Sequence, residues 1–398
     1  MTEVLGTTGR AAGTQGKAPL VALASTDPLD PATFSGLSRR LFDQLAAQGA
    51  TVTALATRDL RWQDALRGAV RARAVLGRAG ADRRTPLVSP DWIWSRRGFE
   101  ALTTRLAERL AALPAGAPVL QVGTQTDPSR ARPQRPVHCI TDCTVVQALA
   151  AGEFSVSRAS RRVQDEAVEC QREVFDGCRR ILVLSEWTRR SVIDDYGIDP
   201  DRVVAVGAGA NLSDPLPRTP DPLRPVVLFV GRDWEQKGGP LLLDAFRLAR
   251  ARVPHARLVV VGCTPPLGSE PGVEIVGVLD RRDAAQDERL RRLYAQATCF
   301  AILSRFDAFP NVVLEAGVAG VPVVSTDEGS RSEAVIDGVT GLLAARREPR
   351  LVADALVALL SDPHRADAMG RAAAAGVAQR FTWPVVGRRV ADALELPC

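Results

Sequence analysis

From Pro19 onward the chain repeats one pattern: a short apolar run, a turn or polar loop, then a segment with apolar residues at three- and four-residue spacing. Parallel strands need a long crossover between neighbours, and an amphipathic helix supplies it, so the alternation predicts parallel sheets covered by helices. The first half offers LVALAS (20–25), TVTAL (51–55), PVLQV (118–122), PVHCI (136–140), RILVL (180–184) and RVVAV (202–206) as strands. FSGLSRRLFDQLAAQG and RGFEALTTRLAERLAAL read as helices between them. The pattern stops once, at SDPLPRTPDPLRP, where Pro215, Pro217, Pro220, Pro222 and Pro225 exclude a helix or a central strand. It restarts with VVLFV (226–230), RLVVV (257–261), VEIV (273–276), CFAIL (299–303) and VPVVS (321–325).

The expected organisation is a disordered tail over 1–18, an α/β domain over 19–212 and a proline-rich linker over 213–225. A second α/β domain over 226–380 follows, and then a closing helix over 381–398 that restarts at Pro384 and crosses back onto the first domain. A chain of 398 residues is too long for one compact core, which agrees with two domains. Two such sheets set a cleft between their carboxyl ends, where open α/β sheets bind ligands.

Charge narrows the function classes. Lys+Arg 51 against Asp+Glu 46 leaves +5, without the concentrated basic stripe of a nucleic-acid binder. Lysine occurs only at Lys17 and Lys237, so nearly all positive charge is arginine, and a lysine kept inside the second domain asks for a local reason. The seven cysteines are scattered and odd in number, which fits reduced thiols in a cytoplasmic protein. His138 beside Cys139 and Cys143 lacks the further ligands of a zinc site and reads as packing. No apolar run reaches the ~18 residues of a membrane span. Tryptophans among arginines in segments 59–84 and 90–98 suit packing and solvated helix faces, or else an interfacial or acceptor contact; peripheral membrane contact stays open.

Two segments carry chemistry. In VVLFVGRDWEQKGGPLLLDAF a strand leads through a turn with Arg232 and Lys237 to Gly238 and Gly239, with Pro240 in the first turn of a helix. Glycines at a helix start let backbone amides approach an anion, and the two cations neutralise it, which is the physics of a phosphate site. In SRFDAFPNVVLEAGVAGVPVV, Asp307 sits in the loop after a strand and Glu315 in the first turns of the next helix. Carboxylates so placed can grip sugar or ribose hydroxyls. Glu315 can equally be a helix-start acid favoured by the dipole.

Together with EGSRSEAVIDGVTGLL, these segments resemble the carboxyl-terminal domain of family 4 retaining nucleotide-sugar glycosyltransferases. The resemblance covers nearly all of 226–345 and implies the GT-B fold, with two Rossmann-like domains facing across a cleft. It implies that Arg232 and Lys237 meet the donor diphosphate and that Glu315 meets the ribose. Asp307, with the backbone around Phe309, Asn311 and Val312, would hold the transferred sugar, and Gly36 would approach the diphosphate or acceptor from the first domain. Three departures stand out: Asp307 where relatives have Glu, Pro310 where glycine is common, and ITDCT where a His often faces the donor sugar. Thr141 and Asp142 fall nearest that position, and Asp142 is the candidate for steering acceptor or sugar, against a loop-capping reading.

No Asp-x-Asp motif ends an apolar strand; Asp199-Pro-Asp201 reads as turn chemistry. The implied reaction is therefore metal-independent and needs no cofactor: a nucleotide-diphosphate sugar transfers its sugar to an acceptor hydroxyl with retention, the departing phosphate taking the acceptor's proton on the same face. A relative that binds the nucleotide-sugar without transferring is the alternative. A dinucleotide oxidoreductase is disfavoured, because the one GxG, Gly207-Ala-Gly209, leads into the proline linker.

Overall fold

The structure is a computed structural model describing residues 18–30, 33–57, 90–113, 116–132, 134–152, 154–212 and 214–396. The expected tail, apart from Ala18, and the whole of 59–84 lie outside the described residues. In chain order the first six strands are β1 (Ala18–Ala24), β2 (Ala50–Ala56), β3 (Val119–Val122), β4 (Val137–Thr141), β5 (Arg180–Val183) and β6 (Val203–Ala205). They form one parallel sheet in the order β2-β1-β3-β4-β5-β6. The other six are β7 (Val226–Val230), β8 (Arg257–Val261), β9 (Val273–Gly277), β10 (Cys299–Ala301), β11 (Val323–Thr326) and β12 (Gly341–Ala344). They form a second parallel sheet in the order β12-β11-β10-β7-β8-β9.

Helices on both faces bury the inner strands on each side, which is why β3, β7 and β8 read as continuous apolar runs without alternation. The helix Leu37–Ala47 shows the complementary period: Leu37, Leu41, Phe42 and Leu45 form its buried stripe. In the second sheet β7, β8 and β9 run outward in one direction and β10, β11 and β12 in the other. The order therefore reverses between β7 and β10, and in an open parallel sheet that reversal opens a crevice at the strands' carboxyl ends. The first sheet reverses likewise between β1 and β3.

β12 is a strand that the apolar-run reading passed over, because GLLA is short and Gly341 opens it. A Cβ there would lie 2.2 Å from the Val323 carbonyl oxygen. CFAIL is ordered as a strand only to Ala301, after which the chain turns into the loop bearing Asp307. The proline segment lies along the second sheet's side, with the Thr219 amide donating to the Ala295 carbonyl (2.9 Å) and Arg218 to the Ala297 carbonyl (2.6 Å).

Helix Pro363–Arg380 ends at Phe381, and Thr382 caps a new helix, Trp383–Ala393, with Pro384 in its first turn. Val386 and Val390 of this helix share a core with Leu41, Phe42 and Leu45 of the first domain. Gly207-Ala-Gly209 is the seat of that return: the Ala210 amide donates to the Phe381 carbonyl at 2.8 Å. A Cβ at Gly209 would meet the Trp383 ring at 2.4 Å. The Trp94 indole donates to Ser155 Oγ at 2.9 Å, and its ring packs beside Val145, Ala148 and Val156, which favours the packing reading of 90–98.

Candidate active site

The loops that follow β7 and β10 meet at the reversal point of the second sheet. Trp234, buried under the β7 loop and edge-on to Phe229 at 5.1 Å, anchors that loop from below. Gly238 starts the helix Gly239–Arg252 with φ +75°, and a Cβ on it would lie 1.9 Å from the Leu303 carbonyl oxygen. Only glycine permits that approach, and it lets the Leu303 amide bond the Lys237 carbonyl at 3.1 Å, stitching the two loops together.

Lys237 Nζ then lies 2.6 Å from Asp307 Oδ2, with Ser304 Oγ at 3.4 Å from the same oxygen. The resemblance gives Lys237 to the diphosphate and Asp307 to the sugar; the structure joins the two as an ion pair, 28% and 12% exposed. An ammonium is a compact point charge on a flexible stem, so Lys237 can swing between Asp307 and an incoming anion. Arg232 is exposed on the same loop.

Glu315 projects from the helix Asn311–Val318 into the protein and is 5% exposed. A carboxylate so buried needs partners. Arg281 Nη1 donates to Oε1 at 2.8 Å and the Tyr294 hydroxyl to Oε2 at 3.3 Å. Burial raises the Glu315 carboxyl above its ordinary value, while Arg281, Tyr294 and Arg40 pull it back. The helix-start reading of Glu315 gives way here, since its carboxylate is bonded to side chains from other elements.

Around the sugar-side candidates the backbone is partly engaged. The Asn311 amide donates to the Phe309 carbonyl at 3.0 Å, a bond that Pro310 between them favours by fixing the turn. Asn311 Oδ1 is buried without a partner. The Phe309 ring faces Phe381 at 5.9 Å, and Val312 is half-buried at the helix start.

From the first sheet, Gly36 stands at the amino end of Leu37–Ala47 with φ 80°. Thr141, at the end of β4, turns its hydroxyl to the Cys143 carbonyl (2.9 Å), and the Asp142 carbonyl accepts from Thr188 Oγ1 at 2.6 Å. The Asp142 carboxyl is pushed up to about 6, chiefly by burial and in part by Asp307 across the cleft. Among the described residues the two halves also touch elsewhere. Phe306, beside Asp307, meets Phe154 and Trp187 edge-on at 5.3 and 5.6 Å. Glu333 accepts the Glu186 and Trp187 amides, both at 2.8 Å. The guanidiniums of Arg40 and Arg281 meet at the Asn211 carbonyl (3.3 and 3.2 Å).

Arg281, Tyr294, Glu333 and Arg331 are site residues that sequence reasoning missed. Arg331 is 1% exposed and holds the loop after β11 through Nε to the Thr326 carbonyl (2.9 Å) and Nη2 to Glu328 (3.0 Å). Among the described residues no group of three His, Cys, Asp or Glu side chains is placed to hold a metal ion.

Two parallel sheets facing across a cleft, each with its order reversed where the cleft loops arise, make up the GT-B architecture. Residues 224–362 match the family described as Glycosyl transferases group 1, and this part of the chain is a glycosyltransferase group 1 domain. Over 242 residues the chain is 34% identical to the D-inositol 3-phosphate glycosyltransferase of Frankia alni, covering 55% of this chain and 59% of that one. Against the protein of the same name from Corynebacterium diphtheriae it is 30% identical over 263 residues, covering 61% and 60%. The matches thus span about three fifths of those relatives' own length. The sucrose-phosphate synthase of Thermosynechococcus elongatus superposes with a TM-score of 0.67 at 18% identity, covering 95% of this chain and 98% of that one. Anabaena HepE in complex with UDP and glucose gives 0.63 at 16%, covering 94% and 99%. These two likenesses concern the fold.

Proposed function

We propose that the protein is a retaining glycosyltransferase that moves a sugar from a nucleoside diphosphate sugar to an acceptor hydroxyl. The observation that carries this reading is the Lys237–Asp307 pair at the reversal point of a glycosyltransferase group 1 domain, faced by Asp142 from the other sheet. Lys237, with Arg232, meets the donor diphosphate, and Glu315 accepts the ribose hydroxyls. Asp307, released from Lys237 as the phosphate takes the cation, accepts hydroxyls of the transferred sugar. The acceptor oxygen bonds to the anomeric carbon as the bond to the phosphate oxygen breaks, and the acceptor's proton passes to that departing oxygen. Charge stabilisation rests with Lys237, Arg232 and the helix start at Gly239, so the reaction is metal-independent on this reading. A nucleotide-sugar donor is the reading supported by the relatives' printed activity.

The name of the curated relatives makes a phosphorylated inositol the first acceptor to try. We assign the activity to the cytoplasm: Cys139, Cys143, Cys170, Cys178, Cys263 and Cys299 are free thiols, as a reducing compartment keeps them. No helix among the described residues is long and apolar enough to cross a membrane.

The test is nucleotide release over a panel of nucleotide-sugars with inositol phosphates and simple glycosides as acceptors. Lys237→Ala should lower turnover by about a hundred-fold, the scale of one lost charge stabiliser of a leaving group. Unaltered turnover would remove Lys237 from the chemistry. A chain that binds donor yet neither transfers nor slowly hydrolyses it in any combination is the non-transferring relative instead.

A further inference from the structure

Three N–H groups of Arg281 reach three separate segments: Nη1 to Glu315 Oε1 (2.8 Å), Nη2 to the Asn211 carbonyl (3.2 Å) and Nε to Asp287 Oδ1 (3.1 Å). A planar guanidinium with fixed donor directions can serve three acceptors at once, whereas an ammonium on a flexible stem cannot hold that geometry. The segments are not neighbours in the chain. Glu315 belongs to the helix after β10, Asp287 to the helix Ala284–Gln296, and Asn211 to the passage between the sheets.

Arg40, from the first helix of the other sheet, donates to the same Asn211 carbonyl at 3.3 Å. Glu315 therefore does not choose its own orientation. One oxygen is fixed by Arg281, which is itself pinned on two further sides, and the other faces Tyr294. A carboxylate in this setting has its lone pairs aimed before any ligand arrives.

We infer that Arg281 is a positioning residue, which aims the Glu315 carboxylate at the ribose of the bound nucleotide and ties it to the inter-sheet passage at Asn211. This rests on the ribose reading of Glu315 given above. Burial raises the Glu315 carboxyl and Arg281 is the largest influence lowering it, in accord with the geometry. Arg281 is conspicuous among the cleft arginines because neither the diphosphate loop nor the sugar loop contains it. Its part is to make a buried acid selective.

The test is binding of uridine, adenosine and guanosine diphosphates and of their 2′-deoxy and 3′-deoxy counterparts to the full chain by titration calorimetry. Wild type should prefer at least one ribonucleotide by about ten-fold over a deoxy counterpart, the worth of one charge-assisted hydrogen bond. Arg281→Ala should bring that ratio close to one. Arg281→Lys, which keeps a cation for Glu315 without the fork, should restore part of it. A general loosening of the fold would weaken ribo and deoxy ligands alike and leave the ratio in place, so an unchanged ratio in a folded Arg281→Ala overturns the inference. Should Arg281→Ala fail to fold, the ratio in Arg281→Lys decides: lowered supports the inference, unchanged overturns it. If wild type binds the diphosphates without distinguishing ribo from deoxy, the ribose reading of Glu315 fails and this inference falls with it; if wild type binds none of them, the proposed function itself fails.

Discussion

Asp142 and Asp307 are acids from opposite sheets that face one another across the cleft in different surroundings. Asp307 has an ammonium at 2.6 Å. Asp142 has burial against it and is pushed up from 3.8 to about 6. A raised carboxyl binds its proton more tightly in the folded chain. The stability it contributes is therefore fully present below about pH 3.8 and is lost as pH rises through about 6. Asp142→Asn, which keeps shape and removes the charge, should melt above wild type near pH 7.5 and converge with it near pH 4. Wild-type turnover should fall as pH drops through about 6, and Asp142→Asn should lack that fall. Parallel melting curves across that range would mean that Asp142 is an ordinary solvated carboxyl.

Residue chemistry was legible where the sequence departs from its own habits. Lys237 stood out because the chain otherwise writes arginine, and the structure sets it at the reversal point. Arg281 and Glu333 were illegible because they lie among many arginines and glutamates. Their partners are 34 and 147 residues away, so no local spacing links them.

Among the elements, the loop from β7 into its helix depends on one backbone shape. Gly238 combines φ +75° with a carbonyl 1.9 Å from where a Cβ would be. Gly238→Ala therefore meets both a left-handed backbone penalty and a clash with a main-chain atom that cannot swing aside. We expect a loss of about 2–4 kcal/mol by urea unfolding, together with weakened nucleotide diphosphate binding as Lys237 shifts. Full stability in this variant would mean that the two loops are not in contact as described. The strand-then-helix alternation predicts eleven of the twelve strands among the described residues, with ends moved by a residue or two. β12 escaped because its run is short and its opening glycine reads as a turn, although that glycine is what lets it lie beside Val323. Gly207 and Gly209, which lead into the proline linker, serve as a surface for Phe381 and Trp383.

At the scale of the whole molecule, the two sheets are joined by the returning helix at the back and by Glu333 at the front. The Glu333 carboxylate caps the Glu186 and Trp187 amides, the first two of the helix Glu186–Asp194, so a charge from one half satisfies a helix start in the other. Glu333→Ala should cost about 1–3 kcal/mol of contact between the halves and raise the radius of gyration in small-angle scattering. An unchanged scattering profile would show that the returning helix and the aromatic contacts at Phe306 hold the halves together without Glu333. Nothing in the sequence announces such an arrangement, since facing loops are set by how two separately folded sheets meet.

The scarcity of lysine has a practical side. Apart from the amino terminus, an amine-selective acylating reagent finds two targets in this chain, Lys17 and Lys237. Lys237 must leave its ion pair with Asp307 before its nitrogen is nucleophilic. Peptide mass spectrometry of the acylated protein therefore reads the occupancy of one site from one peptide, with Lys17 as the internal reference.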